Sequence, residues 1–238
     1  MTTREILDLV RFYGNKSQKG NAYTPEDFNL SLKDFNMQIY NDELSKFQVG
    51  AIIPSQLLRF KTSIVSGSLT TGSYTLPGDY QELITNSFTA LIGGVSKYGE
   101  FVDDTIAKRM THDAGYKLRE NPIAKLKDGS FKVYPTDATA FSFEYLRVPV
   151  TPIYDYYIDA NLNEVFMPVG TSHTLLINEV SSGGDDTVGA IIASLTVELD
   201  WDTIIHPRFV ADLLLPMGVN LREADIVTAS QLKKQEAR

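Results

Sequence analysis

The sequence predicts an α+β protein, with helical segments at both termini packed together and a central, mainly antiparallel β region. Three observations predict it. Apolar residues recur at helical spacing up to about residue 62. From Ser63 the period changes, with Ser, Thr and Gly rising and β-branched or aromatic residues arriving in short runs. Helical spacing returns near Trp201. The expected parts are therefore 1–62, an N-terminal helical part; 63–199, a β-rich central part; and 200–238, a C-terminal helical part that packs with 1–62 as one helical domain.

In the first part, Ile6, Leu9, Val10 and Tyr13 fall at helical spacing, and the polar stretch between Gly14 and Gly20 ends that helix. At Thr24-Pro25-Glu26-Asp27 a threonine can cap, proline sits where its missing N–H costs nothing, and two acids face the positive end of the helix dipole. Phe28, Leu32, Phe35 and Ile39 then mark one apolar stripe on a helix lasting to about Phe47. A third short helix is expected over 54–60.

In the β part, Lys127-Asp128-Gly129-Ser130 is a hairpin turn signal, and Phe131-Lys132-Val133-Tyr134 alternates up to Pro135. The run Phe141-Ser142-Phe143-Glu144-Tyr145 alternates as well. A second hairpin is expected around Asp159-Ala160-Asn161-Leu162-Asn163, between strands over 154–158 and 165–169. A helical break is expected over 102–112, and Ser181 to Asp186 reads as a loop. Near the end, Ile204, Ile205, Phe209, Val210, Leu213 and Leu214 form a broad apolar face before Pro216 and Gly218, and a last helix runs from Leu221 to the basic tail.

Composition excludes several classes of function. The 238 residues, 43% hydrophobic and 22% charged, are ample for a buried core, so no disulfide or metal is needed to fold. Twenty-two basic against 30 acidic residues leave a net charge of −8, the wrong sign for a protein that binds DNA by neutralising phosphates. The absence of Cys removes thiolate catalysis, cysteine-ligated zinc and iron–sulfur clusters. Glu5 and Asp8 interrupt any apolar signal core, and no apolar run approaches the ~20 residues of a membrane helix. A soluble protein of cytoplasmic origin is expected.

The motifs that carry catalysis or metal binding are near misses. His112, His173 and His206 include no pair at the i+3 or i+4 spacing that would set two ligands on one helix face. Gly170-Thr171-Ser172-His173-Thr174 begins like a nucleophile elbow but ends in Thr where a second Gly is needed. Asp159, Asn161 and Asn163 occupy positions 1, 3 and 5 of a calcium loop, yet Glu164 stands where that loop needs Gly and Gly170 where it needs a bidentate Glu. Neither a phosphate-cradling loop nor a dinucleotide turn is present. Asp103-Asp104 and the pair Glu223 and Asp225 read as solubilising, capping or ion-pairing carboxylates, and Asp185-Asp186 as solvated. The 12 Tyr and 12 Phe fit sheet faces and core. No catalytic, cofactor-binding or metal-binding residue is nominated, and no cofactor is expected.

Six segments carry a resemblance that spans nearly the whole chain: 23–29, Leu76-Pro77-Gly78-Asp79-Tyr80, Phe131 to Pro135, Tyr145 to Pro152, Val197-Glu198-Leu199-Asp200-Trp201, and Met217 to Ile226. In this order they resemble the ring or head-to-tail connector proteins of tailed phages of the crAss-like and podovirus groups. The resemblance implies a non-enzymatic virion protein, assembled in the host cytoplasm, that forms a cyclic homo-oligomeric ring, a dodecamer, between portal and tail. The implied partners are the portal protein and adjacent tail or ring proteins. Genomic DNA passes through the lumen without sequence-specific binding, a role an acidic conduit suits. Gly218, Asn220 and Glu223 independently read as a helix end followed by a capping box. The competing reading is a carbohydrate- or cell-surface-binding accessory protein of the particle. That function calls for an exposed aromatic platform on a mostly β chain.

Overall fold

The structure, a computed structural model, describes residues 1–16, 24–50, 52–113 and 115–215. The expected last helix from Leu221, the Gly218–Glu223 capping corner and the basic tail lie outside the described residues. The protein is α+β, and antiparallel pairing dominates its main sheet. No helix among the described residues is long and apolar enough to cross a membrane.

The chain divides into two compact units, Met1–Arg59 joined by the chain from Pro149 onward, and Phe60–Val148. The first boundary lies near the expected one at 62, but the second falls at 148/149 instead of 199/200. The reason is physical. The strands after Pro149 are only two or three residues long, in sheets of two and three strands that cannot bury a face by themselves. Tyr156 is buried and its hydroxyl donates to Glu26, and Arg4 lies over the Phe166 ring, so these strands lean on residues of the leading helices instead.

In the first unit, α1 (Thr3–Lys16) and α2 (Pro25–Gly50) both pack against α4 (His206–Leu214). Thr24 caps α2 as its sequence predicts: its Oγ1 accepts from the Asp27 N–H at 3.2 Å and donates to the Asp27 carboxylate at 2.9 Å. Phe28, Leu32 and Ile39 are fully buried, but Phe35 is only half-buried, and Asn36 and Glu43 are buried in the stripe. Asn36 belongs inside because its amide donates to Val150 O at 3.2 Å and accepts from the Trp201 indole. Ser55–Phe60 forms a short 3-10 helix. The helix expected from Trp201 starts only at His206, with Pro207 in its first turn, so Ile204 lies outside the apolar face and is 80% exposed.

The small sheets of this unit are β10-β9-β12, from β9 (Tyr156–Ile158), β10 (Glu164–Phe166) and β12 (Val180–Ser181), and β11-β13, from β11 (Ser172–Thr174) and β13 (Ile191–Ala193). The expected hairpin around Asp159 is formed by β9 and β10. Asn29 ties α2 to the start of this region: its Nδ2 donates to Tyr154 O at 2.9 Å and its Oδ1 accepts from Tyr154 N at 2.7 Å. Phe28 meets the Tyr154 ring edge-on at 6.0 Å.

The second unit is a sheet in the order β1-β8-β4-β5-β6-β7-β2, with β3 also on β8. Its strands are β1 (Lys61–Ser68), β2 (Ser73–Thr75), β3 (Tyr80–Leu83), β4 (Ser87–Ile92), β5 (Val95–Phe101), β6 (Ile123–Lys127), β7 (Ser130–Tyr134) and β8 (Ala140–Arg147). All neighbours are antiparallel except β5 and β6, which run parallel after a crossover through α3 (Asp104–His112). Asp128 and Gly129, both at positive φ, make the predicted tight turn between β6 and β7. One face of the sheet carries Phe88, Phe131, Phe141, Phe143 and Tyr145, whose rings pack at centroid separations such as 5.0 Å for Phe88–Phe141 and 5.1 Å for Phe131–Phe143. On the opposite face β8, β4 and β5 carry Ser142, Glu144, Ser87, Thr89, Tyr98 and Glu100, while Leu146 and Ile123 on that side are buried.

Candidate functional site

His173 and His206 have local structural roles. His112 is exposed in the last turn of α3. His206 is only 4% exposed, and its Nε2 lies 3.2 Å from Trp201 O; burial, with the amino-terminal charge second, pushes its pKa down to about 4. His173 on β11 stacks on Tyr157 with ring centres 4.0 Å apart, and its Nε2 lies 2.7 Å from the buried carboxylate of Glu179. That carboxylate also accepts from the Leu176 N–H at 2.7 Å, and these two bonds, the backbone one foremost, hold its pKa below the ordinary glutamate range.

The Gly170–Thr174 segment runs from a turn into a strand. Thr171 bonds back to Pro168 O through both its N–H and its hydroxyl, and Ser172 and His173 then alternate to opposite faces of β11. The imidazole therefore turns away from the Ser172 hydroxyl, and the strand-to-helix turn that exposes a nucleophile is missing.

In the calcium-like loop, the Asp159 carboxylate accepts from the N–H groups of Asn161 and Asn163, both at 2.8 Å, and from Asn163 Nδ2 at 3.2 Å. Those bonds depress its pKa and occupy the oxygens in the turn itself. Among the described residues no group of three His, Cys, Asp or Glu is placed to hold a metal ion. Asp103 caps α3 by accepting from Ile106 N at 2.8 Å. Asp104 pairs with Lys108 at 2.6 Å and with Lys125. Asp185 accepts from Thr187 N at 2.9 Å. Glu223 and Asp225 lie outside the described residues.

Two surface features remain after these assignments. The first is on the polar face of the main sheet. Pairing aligns Ser142, Thr89 and Tyr98 in one row across β8, β4 and β5, while Ser63 faces Glu144 and Ser87 faces Glu100 on the same side of the sheet. Tyr98 is 82% exposed. It lies between two shallow cavities. One, of about 340 Å³, is lined by Ser63, Thr85, Ser87, Thr89, Ser142 and Glu144 among others. The second, of about 320 Å³, is lined by Glu100, Tyr116 and Asn121, and the two share Ser87 and Tyr98. The hydroxyls of Ser63, Thr89 and Ser142 have no hydrogen-bond partner among the described residues.

The second feature is the β11–β13 ribbon of the first unit. Thr174 faces Ile191, and Leu175 continues the pairing through bonds to Gly189 and Ala190, which brings Leu176 and Val188 to one end. Leu176, Ile177, Val188, Ile191 and Leu195 are each more than half exposed. Neither strand has a second partner among the described residues, so each presents an open edge.

Sequence reasoning did not single out Tyr98. Its signal is the alternation Ser96, Tyr98, Glu100 against Gly99 and Phe101, which marks a strand with an aromatic residue on its polar side. No model of a known protein family matches the chain, and no curated protein matches it.

Proposed function

We propose that this chain is a non-enzymatic virion structural protein, a ring-forming head-to-tail connector (adaptor) between portal and tail through which DNA passes. The reading includes a helical domain in which 200–238 packs with 1–62. The observation that carries it beyond the resemblance is the exposed apolar β11–β13 ribbon. A cyclic ring needs a heterologous interface, two unlike patches that meet around the circle. A strip of exposed Leu, Ile and Val with two open strand edges is the kind of patch that a neighbouring subunit covers. The net charge of −8 fits a conduit that must let a polyanion slide.

Negative-stain images of the purified protein, alone and with a portal protein, test this reading. Closed rings are expected, and Ile191→Asp should leave circular dichroism unchanged while dispersing the rings to monomers. A wild-type protein that stays monomeric at high concentration and in the presence of the portal overturns it.

A further inference from the structure

We infer that the polar face of the β8–β4–β5 sheet is a binding site for a neutral saccharide, with Tyr98 as its stacking platform. The inference rests on the Phe60–Val148 unit alone and stands apart from the ring reading.

Tyr98 is the starting point. An aromatic side chain left 82% exposed forgoes the burial its ring could gain, while its neighbours on the inner face are packed to nearly zero exposure. Around it the surface offers hydroxyls and carboxylates. Ser63, Thr89 and Ser142 supply hydroxyls that both donate and accept, Thr85 and Ser87, whose protons go to Ser87 O and Thr85 Oγ1, supply acceptors, and Glu100, Glu144 and Asn121 supply strong acceptors, Asn121 also a donor. A pyranose matches this pattern, because one ring face is a patch of C–H groups and its rim is a ring of hydroxyls that each donate and accept. Two cavities of about 340 and 320 Å³ on either side of one tyrosine suit two or three linked sugar units, each at the low end of the usual range for small-molecule sites.

Charge narrows the class. No Lys or Arg lines either cavity, Glu144 is already held by Lys61 at 2.9 Å, and Glu100 has no ion pair among the described residues. Phosphate, nucleic acid and sialylated glycans meet a carboxylate there and no compensating cation, so a neutral sugar is favoured over an anionic one. The strand that carries the platform is also closely seated. Gly99 lies under it, and a Cβ at that position would strike the Phe88 ring and the carbonyl oxygen of Pro122, so the strand carrying Tyr98 is seated closely on the core.

Saturation-transfer NMR with maltotriose, cellotriose and triacetylchitotriose, each at millimolar concentration, and with sialyllactose as the anionic control, tests the inference on the full chain. At least one neutral trisaccharide should receive saturation. Tyr98→Thr, which keeps a strand-forming residue and removes the ring, should cut that transfer about fivefold, the worth of one aromatic contact, whereas Tyr98→Phe should retain it. Glu100→Gln provides a second variant, on a side chain with no ion pair among the described residues, and should weaken transfer to the neutral sugar. Silence from all three neutral sugars, equal transfer to Tyr98→Thr, or stronger transfer to sialyllactose overturns the inference.

Discussion

The indole Nε1 of Trp201 donates to Oδ1 of Asn36 at 2.7 Å, and both side chains are buried, at 1% and 2% exposure. The bond joins α2 to the turn that precedes α4 across 165 residues of sequence. It also explains one of the two polar residues, Asn36 and Glu43, buried in the apolar stripe of α2.

Asn36→Leu removes the acceptor and strands the indole N–H, and is expected to destabilise the first unit by about 2 kcal/mol. Trp201→Phe costs more, through lost packing. The double variant should cost less than the sum of the two, because no unsatisfied donor remains in it. Urea denaturation followed by far-UV circular dichroism checks this; strict additivity would show that the bond carries no energy of its own.

The pKa of His206 stands at about 4, below the ordinary histidine value, so the folded state prefers the neutral ring. Between about pH 6.5 and pH 4 the unfolded chain binds a proton that the folded chain does not, and stability falls as pH falls through that window. The expected loss is on the order of 2 kcal/mol. Trp201, the only tryptophan, lies beside His206 and reports the transition by fluorescence. His206→Asn should flatten the slope; an unchanged slope in that variant would place the proton elsewhere.

Asp104 behaves in the opposite sense and in a lower window. Hydrogen bonds from Lys108 and then Lys125 hold its pKa down at about 2, so its contribution is present above the ordinary aspartate value and is lost as pH falls from there towards 2. Its carboxyl titration, followed by NMR, should have its midpoint near 2 and move upward in Lys108→Met and in Lys125→Met. A midpoint that neither variant moves would contradict the pairing.

Gly99→Ala is expected to destabilise the second unit by about 2 kcal/mol, since the new methyl meets the Phe88 ring and the backbone at Pro122 and the latter has little freedom to yield. Tyrosine near-UV circular dichroism during denaturation reads the effect. A neutral result would mean that β5 is seated loosely on the sheet.

What was legible in the sequence was local. The Thr24 cap, the Asp128–Gly129 turn and the Asp159 hairpin each depend on residues a few positions apart, and the structure has them where the signals lie. Long-range pairing was not legible. Nothing within β1 announces that it pairs with β8, about 80 residues on, and short strands such as β11 and β13 carry too few residues to show a period. Asn36 and Ile204 broke the helical pattern for different reasons: a partner far along the chain decided the first, and a helix start set by Pro207 the second. The candidate groove was illegible as a site. Its residues come from four strands, from Thr85 between β3 and β4 and from the segment before β6, and become neighbours through sheet register.

The second unit interrupts the first, and its two ends leave from one place, since Lys61 at the start of β1 pairs with Leu146 near the end of β8. A ribosome delivering this chain therefore releases the whole of Phe60–Val148 before the residues that α1 and α2 need as partners have been made. The sheet can close while the two leading helices are still waiting, with Leu32, Ile39 and the other apolar side chains of their inner faces uncovered. The nascent chain is thus open to unwanted association through α1 and α2, and that exposure ends only when Trp201 and α4 arrive.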